Sequence, residues 1–168
     1  MNNPIAPSSD QRESRTFFLY RSSVYFDELD AMKMLHNTRY AVHVERATTA
    51  LYHTSGRKWA LAVEENPDQF HVVREFKIEF LKPFLGEGDL DIRLWVNKMG
   101  NTSCTYDFEV ASENGKDRTI HVQGHRTIIK LDPKSLRPQP WSEDFRIRHQ
   151  WLIREPAGRA AVPVGRPE

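Results

Sequence analysis

The feature that most constrains this chain is a change of period. Between residues 36 and 56, Tyr40, Val44, Ala47 or Thr48, and Leu51 recur at steps of three and four, which sets one apolar stripe along a helix. From residue 71 to 132 the repeat drops to two. Phe76, Ile78 and Phe80 alternate with Glu75, Lys77 and Glu79; Leu90, Ile92, Leu94 and Val96 repeat the pattern, as do Cys104, Tyr106, Phe108 and Val110. Strict alternation places one face of each strand in a core and the other in water. In the last segment Ile120 and Val122 alternate, then Ile129 and Leu131 take over past Gly124, so a bulge is expected at that glycine. Residues 16 to 26, rich in aromatic and β-branched types, read as a further strand before the helix.

Strand, helix, then four strands joined by turn residues at Gly86-Glu87-Gly88, Met99-Gly100-Asn101 and Glu113-Asn114-Gly115 can close in one economical way. The helix stripe and the apolar face of an antiparallel sheet bury each other, giving a two-layer α+β domain. Asn37 is the expected helix cap and Gly56 the expected stop. Residues 1 to 15 read as a disordered leader, 16 to 140 as the domain, and 141 to 168 as an extension with a short helix capped by Ser142, packed through Phe145, Trp151 and Leu152, then a disordered tail. Trp95 falls on the face opposite Leu94 and Val96, under the C-terminal segment or at a self-association surface.

Composition limits the partners. With 24 Lys and Arg against 23 Asp and Glu in 168 residues, the formal charge of +1 gives no bulk attraction to nucleic acid or anionic membranes. No run approaches the roughly 18 apolar residues that suggest a membrane span, and no signal peptide is recognisable, so a cytoplasmic protein is expected. The single cysteine, Cys104, sits in an alternating strand and reads as buried filler. The seven histidines are scattered, so no metal site is expected, and neither a P-loop, a GxGxxG nor a GxSxG occurs.

What remains is FDELDAMKMLHNTRY, residues 26 to 40. Asp-x-x-Asp-Ala, a short loop, His-Asn-x-x-Tyr and a helix carrying Glu45-Arg46-Ala47 resemble the signature of hotdog-fold acyl-CoA thioesterases of the 4-hydroxybenzoyl-CoA thioesterase-like group, approximately D-x-D-x-x-G-H-V-N-N-x-x-Y. The resemblance covers about residues 16 to 132 and implies a hotdog fold, a five-stranded antiparallel sheet wrapped around a long central helix. It departs where the family's Gly, His and first Asn are Lys33, Met34 and His36.

That family hydrolyses acyl thioesters, which implies Asp30 as general base for water or as nucleophile, and backbone amides near His36 and Asn37 as oxyanion donors. His36, Tyr40 and Glu45 join Asp30 and Asn37 as candidate catalytic residues. Each also has an ordinary role: loop histidine, core tyrosine, salt-bridged helix glutamate. Asp27 and Glu28 read as surface acids. If Gly at position 33 serves a positive φ, Lys33 requires a different loop. Lys98, Arg126 and Lys130 are candidates for the phosphates of coenzyme A. No cofactor is implied. The substrate would be an acyl-CoA or an acyl-carrier-protein thioester, and the resemblance implies a homodimer or homotetramer. Release of a polyketide chain from a carrier protein, a non-catalytic acyl-binding role and a dehydratase are the alternatives.

Overall fold

The computed structural model describes residues 17–54, 65–115 and 117–154. The element order is β1 (Phe18–Val24), α1 (Asn37–Thr54), β2 (His71–Phe80), β3 (Gly88–Met99), β4 (Ser103–Asn114), β5 (Asp117–Lys130) and α2 (Glu143–His149). The strands form one antiparallel sheet in the order β1-β3-β4-β5-β2. β3, β4 and β5 make the expected meander, because their short turns allow only neighbouring antiparallel pairing. The alternation of β3 and β4 is realised: Leu90, Ile92, Leu94, Val96, Cys104, Tyr106, Phe108 and Val110 are all buried, against Tyr40, Val44, Ala47 and Leu51 of α1. Each fully buried Val or Leu in that layer contributes roughly 1.5–3 kcal/mol from its loss of contact with water.

Two expectations fail, for reasons that matter below. The bulge is not at Gly124, which pairs in register with Phe108 on one side and Ile78 on the other. It lies at His121, where the partners step from Val110↔Val122 to Ala111↔Ile120 and leave both His121 and Val122 buried. Gly124 serves close approach instead: a Cβ there would stand 1.9 Å from the Lys77 carbonyl oxygen and 2.8 Å from the Phe108 ring. The second failure is Phe80, expected in the core but 54% exposed. β2 is an edge strand, paired only with β5 among the described residues, and the end of its apolar face stays accessible beside the start of α1.

The C-terminal segment closes the other side. Ser142 Oγ accepts from the Phe145 amide at the start of α2, and Phe145 and Leu152 are buried while Trp151 is not. Ile153 runs parallel to Val96, the Arg154 amide donates to the Val96 carbonyl, and the Arg154 guanidinium lies 4.9 Å from the centre of the Trp95 ring. Gly56, the leader and the tail lie outside the described residues. No helix among those described is long and apolar enough to cross a membrane.

Candidate active site

After β1 the chain makes a single 3-10 turn, Phe26–Glu28, then a tight loop that returns on itself. Leu29 bridges Leu35, the Asp30 amide donates to the Met34 carbonyl at 2.8 Å, and the Lys33 amide donates to the Asp30 carbonyl at 3.0 Å. The Asp30 side chain stabilises the same turn: Oδ1 accepts from the Met32 amide at 2.8 Å and the Met34 amide at 3.1 Å. Both bonds fall on one carboxylate oxygen. Oδ2 carries no hydrogen bond to a described residue and is left to solvent or ligand.

Lys33 has φ of 59°, so the loop keeps the left-handed turn that a glycine would favour, with a lysine in it. An L-residue there costs roughly 1–2 kcal/mol, and glycine's larger unfolded-state entropy offsets part of the relief. Lys33→Gly is therefore expected to stabilise by about 0.5–1 kcal/mol, raising Tm by roughly 1–4 °C. Calorimetry checks this; a fall in Tm would mean that the lysine side chain supports the loop.

The helix begins at Asn37, one residue earlier than a cap at Asn37 would place it. His36 stands just before it, its Nδ1 2.9 Å from Thr38 Oγ1, and Asn37 Oδ1 accepts from the Thr38 amide at 2.8 Å. The His36 amide is used by the Glu28 carbonyl at 3.0 Å. The Asn37 amide has no acceptor among the described residues, which makes it the unspent donor of this helix start. On the helix's inner side Tyr40 is buried, its hydroxyl accepts from the Phe84 amide at 3.2 Å, and its ring meets Phe80 edge-on with centroids 5.8 Å apart. Burial raises the Tyr40 phenol above its ordinary pKa.

Asp30, His36, Asn37 and Tyr40 thus line one open cleft of about 520 Å³, whose remaining walls are Met34, Leu35, Phe80, Leu81, Lys82 and Pro83. The far wall hangs from His121: the Leu81 and Lys82 amides both donate to its carbonyl, at 2.8 and 3.2 Å. Four of the five candidate catalytic residues are brought together. Glu45 is not among them: it lies outside the cleft, where Arg126 Nη2 sits 2.9 Å from its Oε1.

The three phosphate candidates separate as well. Arg126 is buried against Glu45, and Lys130 is buried with Nζ 2.8 Å from Asp68 Oδ1, so neither offers its charge to a ligand in solution. Lys98 is exposed. Cys104 is fully buried, and its thiol is pushed up to about 12 by loss of solvent, which removes it as a nucleophile. Among the described residues no group of three His, Cys, Asp or Glu side chains could hold a metal ion.

The reading of Glu28 as a surface acid is corrected. Glu28 is buried, Oε2 accepts from the Tyr25 amide at 3.2 Å, and Oε1 lies 3.5 Å from His43 Nε2 and 3.5 Å from Arg46 Nη1. His43 is completely buried, with Nδ1 2.7 Å from Ser22 Oγ. A signal existed in the residues: Ser22 shares the inward parity of Phe18 and Val24, and His43 falls beside Tyr40, Val44 and Ala47 on the helix stripe.

A five-stranded antiparallel sheet laid against one 18-residue helix, with a cleft at that helix's start, defines the hotdog class. The thioesterase superfamily model matches residues 32–119, more than half of the chain, and the protein belongs to that superfamily of thioester hydrolases. The acyl-CoA thioester hydrolase YbgC of Escherichia coli O6:H1 is 24% identical over 125 residues, covering 74% of this chain and 89% of the relative. The same protein of Shigella flexneri matches equally. Among solved structures, a mutant 4-hydroxybenzoyl CoA thioesterase complexed with 4-hydroxybenzoyl CoA superposes with a TM-score of 0.72 at 13% identity, over 80% of this chain and 99% of that one. A 1,4-dihydroxy-2-naphthoyl-CoA thioesterase from Synechocystis gives 0.67 at 11% identity, over 80% and 96%.

Proposed function

We propose that this thioester hydrolase acts on acyl-CoA, with Asp30 as the group that attacks the thioester carbonyl or activates water to do so. One observation carries the reading: Asp30 and Asn37, whose amide has no acceptor among the described residues, line the same largely apolar cleft. A carbonyl seated there could meet a carboxylate oxygen that has no partner among the described residues and a helix N-terminal N–H whose dipole favours the oxyanion. Met34, Leu35, Phe80, Leu81 and Pro83 supply an apolar wall for the acyl group. His36, bonded through Nδ1 to Thr38, shapes the helix start, and Tyr40 holds Phe84 in the connection between β2 and β3; neither needs to move a proton. The relatives' action on CoA esters supports the substrate class.

For the CoA phosphates, Lys82 is an exposed cation on the cleft wall itself. Lys98, near the far end of β3, is exposed but is not among the residues lining this cleft. Homo-oligomer formation fits β2, an edge strand that exposes Val72, Val73 and Phe80.

The test is thiol release measured over a panel of acyl-CoA esters graded in chain length and aromaticity. Turnover on at least one ester is expected, with preference for apolar acyl groups. Silence on every CoA ester, with hydrolysis of a carrier-protein-bound chain, would replace the substrate; silence on both would leave an acyl-binding protein.

A further inference from the structure

Beneath the cleft is a buried polar chain that the reaction as described does not use. It runs from Ser22 in β1 through His43 in α1 to Glu28 in the loop. Its tautomer follows from its partners. Arg46 Nη1, which can only donate, approaches His43 Nδ1 at 3.4 Å, and Ser22 Oγ lies 2.7 Å from the same nitrogen. Nδ1 is therefore the acceptor, and the ring proton sits on Nε2, facing Glu28 Oε1 at 3.5 Å. Burial, with a smaller opposing pull from the Glu28 carboxylate, lowers the His43 pKa, which keeps the ring neutral. Among the described residues neither His43 Nε2 nor Glu28 Oε1 makes a hydrogen bond, so their 3.5 Å approach, with Arg46 Nη1 also 3.5 Å from Oε1, is the electrostatic contact these two buried atoms have.

Polar atoms this deep cost free energy unless their contacts are held, and the chain of contacts spans three elements. Glu28 also ties the loop at two further points: Oε2 takes the Tyr25 amide where β1 ends, and its carbonyl takes the His36 amide where α1 begins. Asp30 follows two residues later and Asn37 follows His36. The segment between these anchors carries the carboxylate, and the oxyanion donor follows directly after it. Ser22 is buried and does not line the cleft, so the chain is not a nucleophile relay.

The geometry points to Glu28 and His43 as a positioning pair that fixes the Asp30 carboxylate relative to the Asn37 amide. Neither residue touches substrate. The pair acts through Asp30, and the inference rests on the role proposed for Asp30. A displacement of the order of 1 Å between reacting groups can cost about a hundredfold in rate, so a pair that sets this spacing governs kcat rather than binding.

The experiment is a double-variant cycle on the full chain, with kcat, KM and Tm measured for Glu28→Gln, Asp30→Asn and the two together. Glutamine preserves the shape and the contact with the Tyr25 amide while replacing the carboxylate that faces His43. Expected are a fall in kcat of at least about tenfold, KM within about twofold, Tm close to wild type, and no further loss when Glu28→Gln is added to Asp30→Asn. Unchanged kcat in Glu28→Gln beside an inactive Asp30→Asn would overturn the pair and leave the function standing. So would independent, multiplicative losses in the double variant. An active Asp30→Asn would overturn the role of Asp30 and this inference with it. If Glu28→Gln does not fold, His43→Gln carries the same expectations and the same refutations.

Discussion

Asp30→Asn is expected to lose turnover by about 10²–10⁴-fold on whichever acyl-CoA the wild type cleaves, with its fold intact. The reason lies in the two oxygens of the side chain. Oδ1 is committed to the Met32 and Met34 amides and stabilises the turn; an asparagine oxygen accepts the same two bonds. Oδ2 is the atom without a partner among the described residues, and the amide nitrogen that replaces it can neither take a proton from water nor attack a carbonyl. The substitution therefore separates structure from chemistry at one residue. Thiol-release kinetics and a thermal melt, run on the same sample, read the two separately. Turnover within about threefold of wild type would remove Asp30 from the mechanism, whereas lost turnover with a collapsed melt would mean that the turn failed. Asp30→Ala is the contrasting variant, because it removes the Oδ1 bonds too and is expected to cost about 1–2 kcal/mol of stability, measured in the same melt.

The same loop shows how far a sequence can be read. Asp30, His36, Asn37 and Tyr40 lie within a short stretch, and a turn followed by a helix fixes their relative positions locally. Spacing was enough to bring them together. The Ser22–His43–Glu28 chain joins residues of a strand, a helix and a turn, so no local spacing reveals it. Arg126 and Lys130 were misread by a different mechanism. Taking Ile129 and Leu131 as the inward set shifts β5 by one residue, and in a strand one residue exchanges the two faces. The bulge at His121 sets the actual phase, in which Val122, Gly124, Arg126, Ile128 and Lys130 face the core. Two cations expected in water are buried as a result. Lys33 shows the reverse case: the sequence flagged a backbone conformation that disfavours lysine, and the fold adopts it at φ 59°.

Of those two buried cations, Lys130 carries the larger consequence. Asp68→Ala is expected to destabilise the protein by about 3–5 kcal/mol, a fall in Tm of roughly 6–20 °C. Asp68 is almost fully buried and has three neighbours: Lys130 Nζ at 2.8 Å, the Ser142 amide at 3.1 Å, and the Ser142 hydroxyl. Burial by itself would raise its pKa, but the bonds from Lys130 and Ser142 together outweigh it and hold the carboxyl below the usual range. This also fixes the pH response. A depressed carboxylate contributes stability that is fully present above its unfolded pKa of about 3.9 and lost as pH falls through the lower folded value, so the wild type keeps this contribution at neutral pH. In Asp68→Ala the Lys130 ammonium stays buried without a counter-charge, and Ser142 loses the acceptor that ties the start of α2 to the sheet. The double variant Asp68→Leu/Lys130→Met removes both charges and is expected to recover most of the lost stability, because an apolar pair of similar volume needs no compensation. Urea or thermal unfolding of wild type, single and double variants reads the cycle. If the double variant proves as unstable as Asp68→Ala, the cost comes from the Ser142 anchor of α2, and the uncompensated lysine is not its cause.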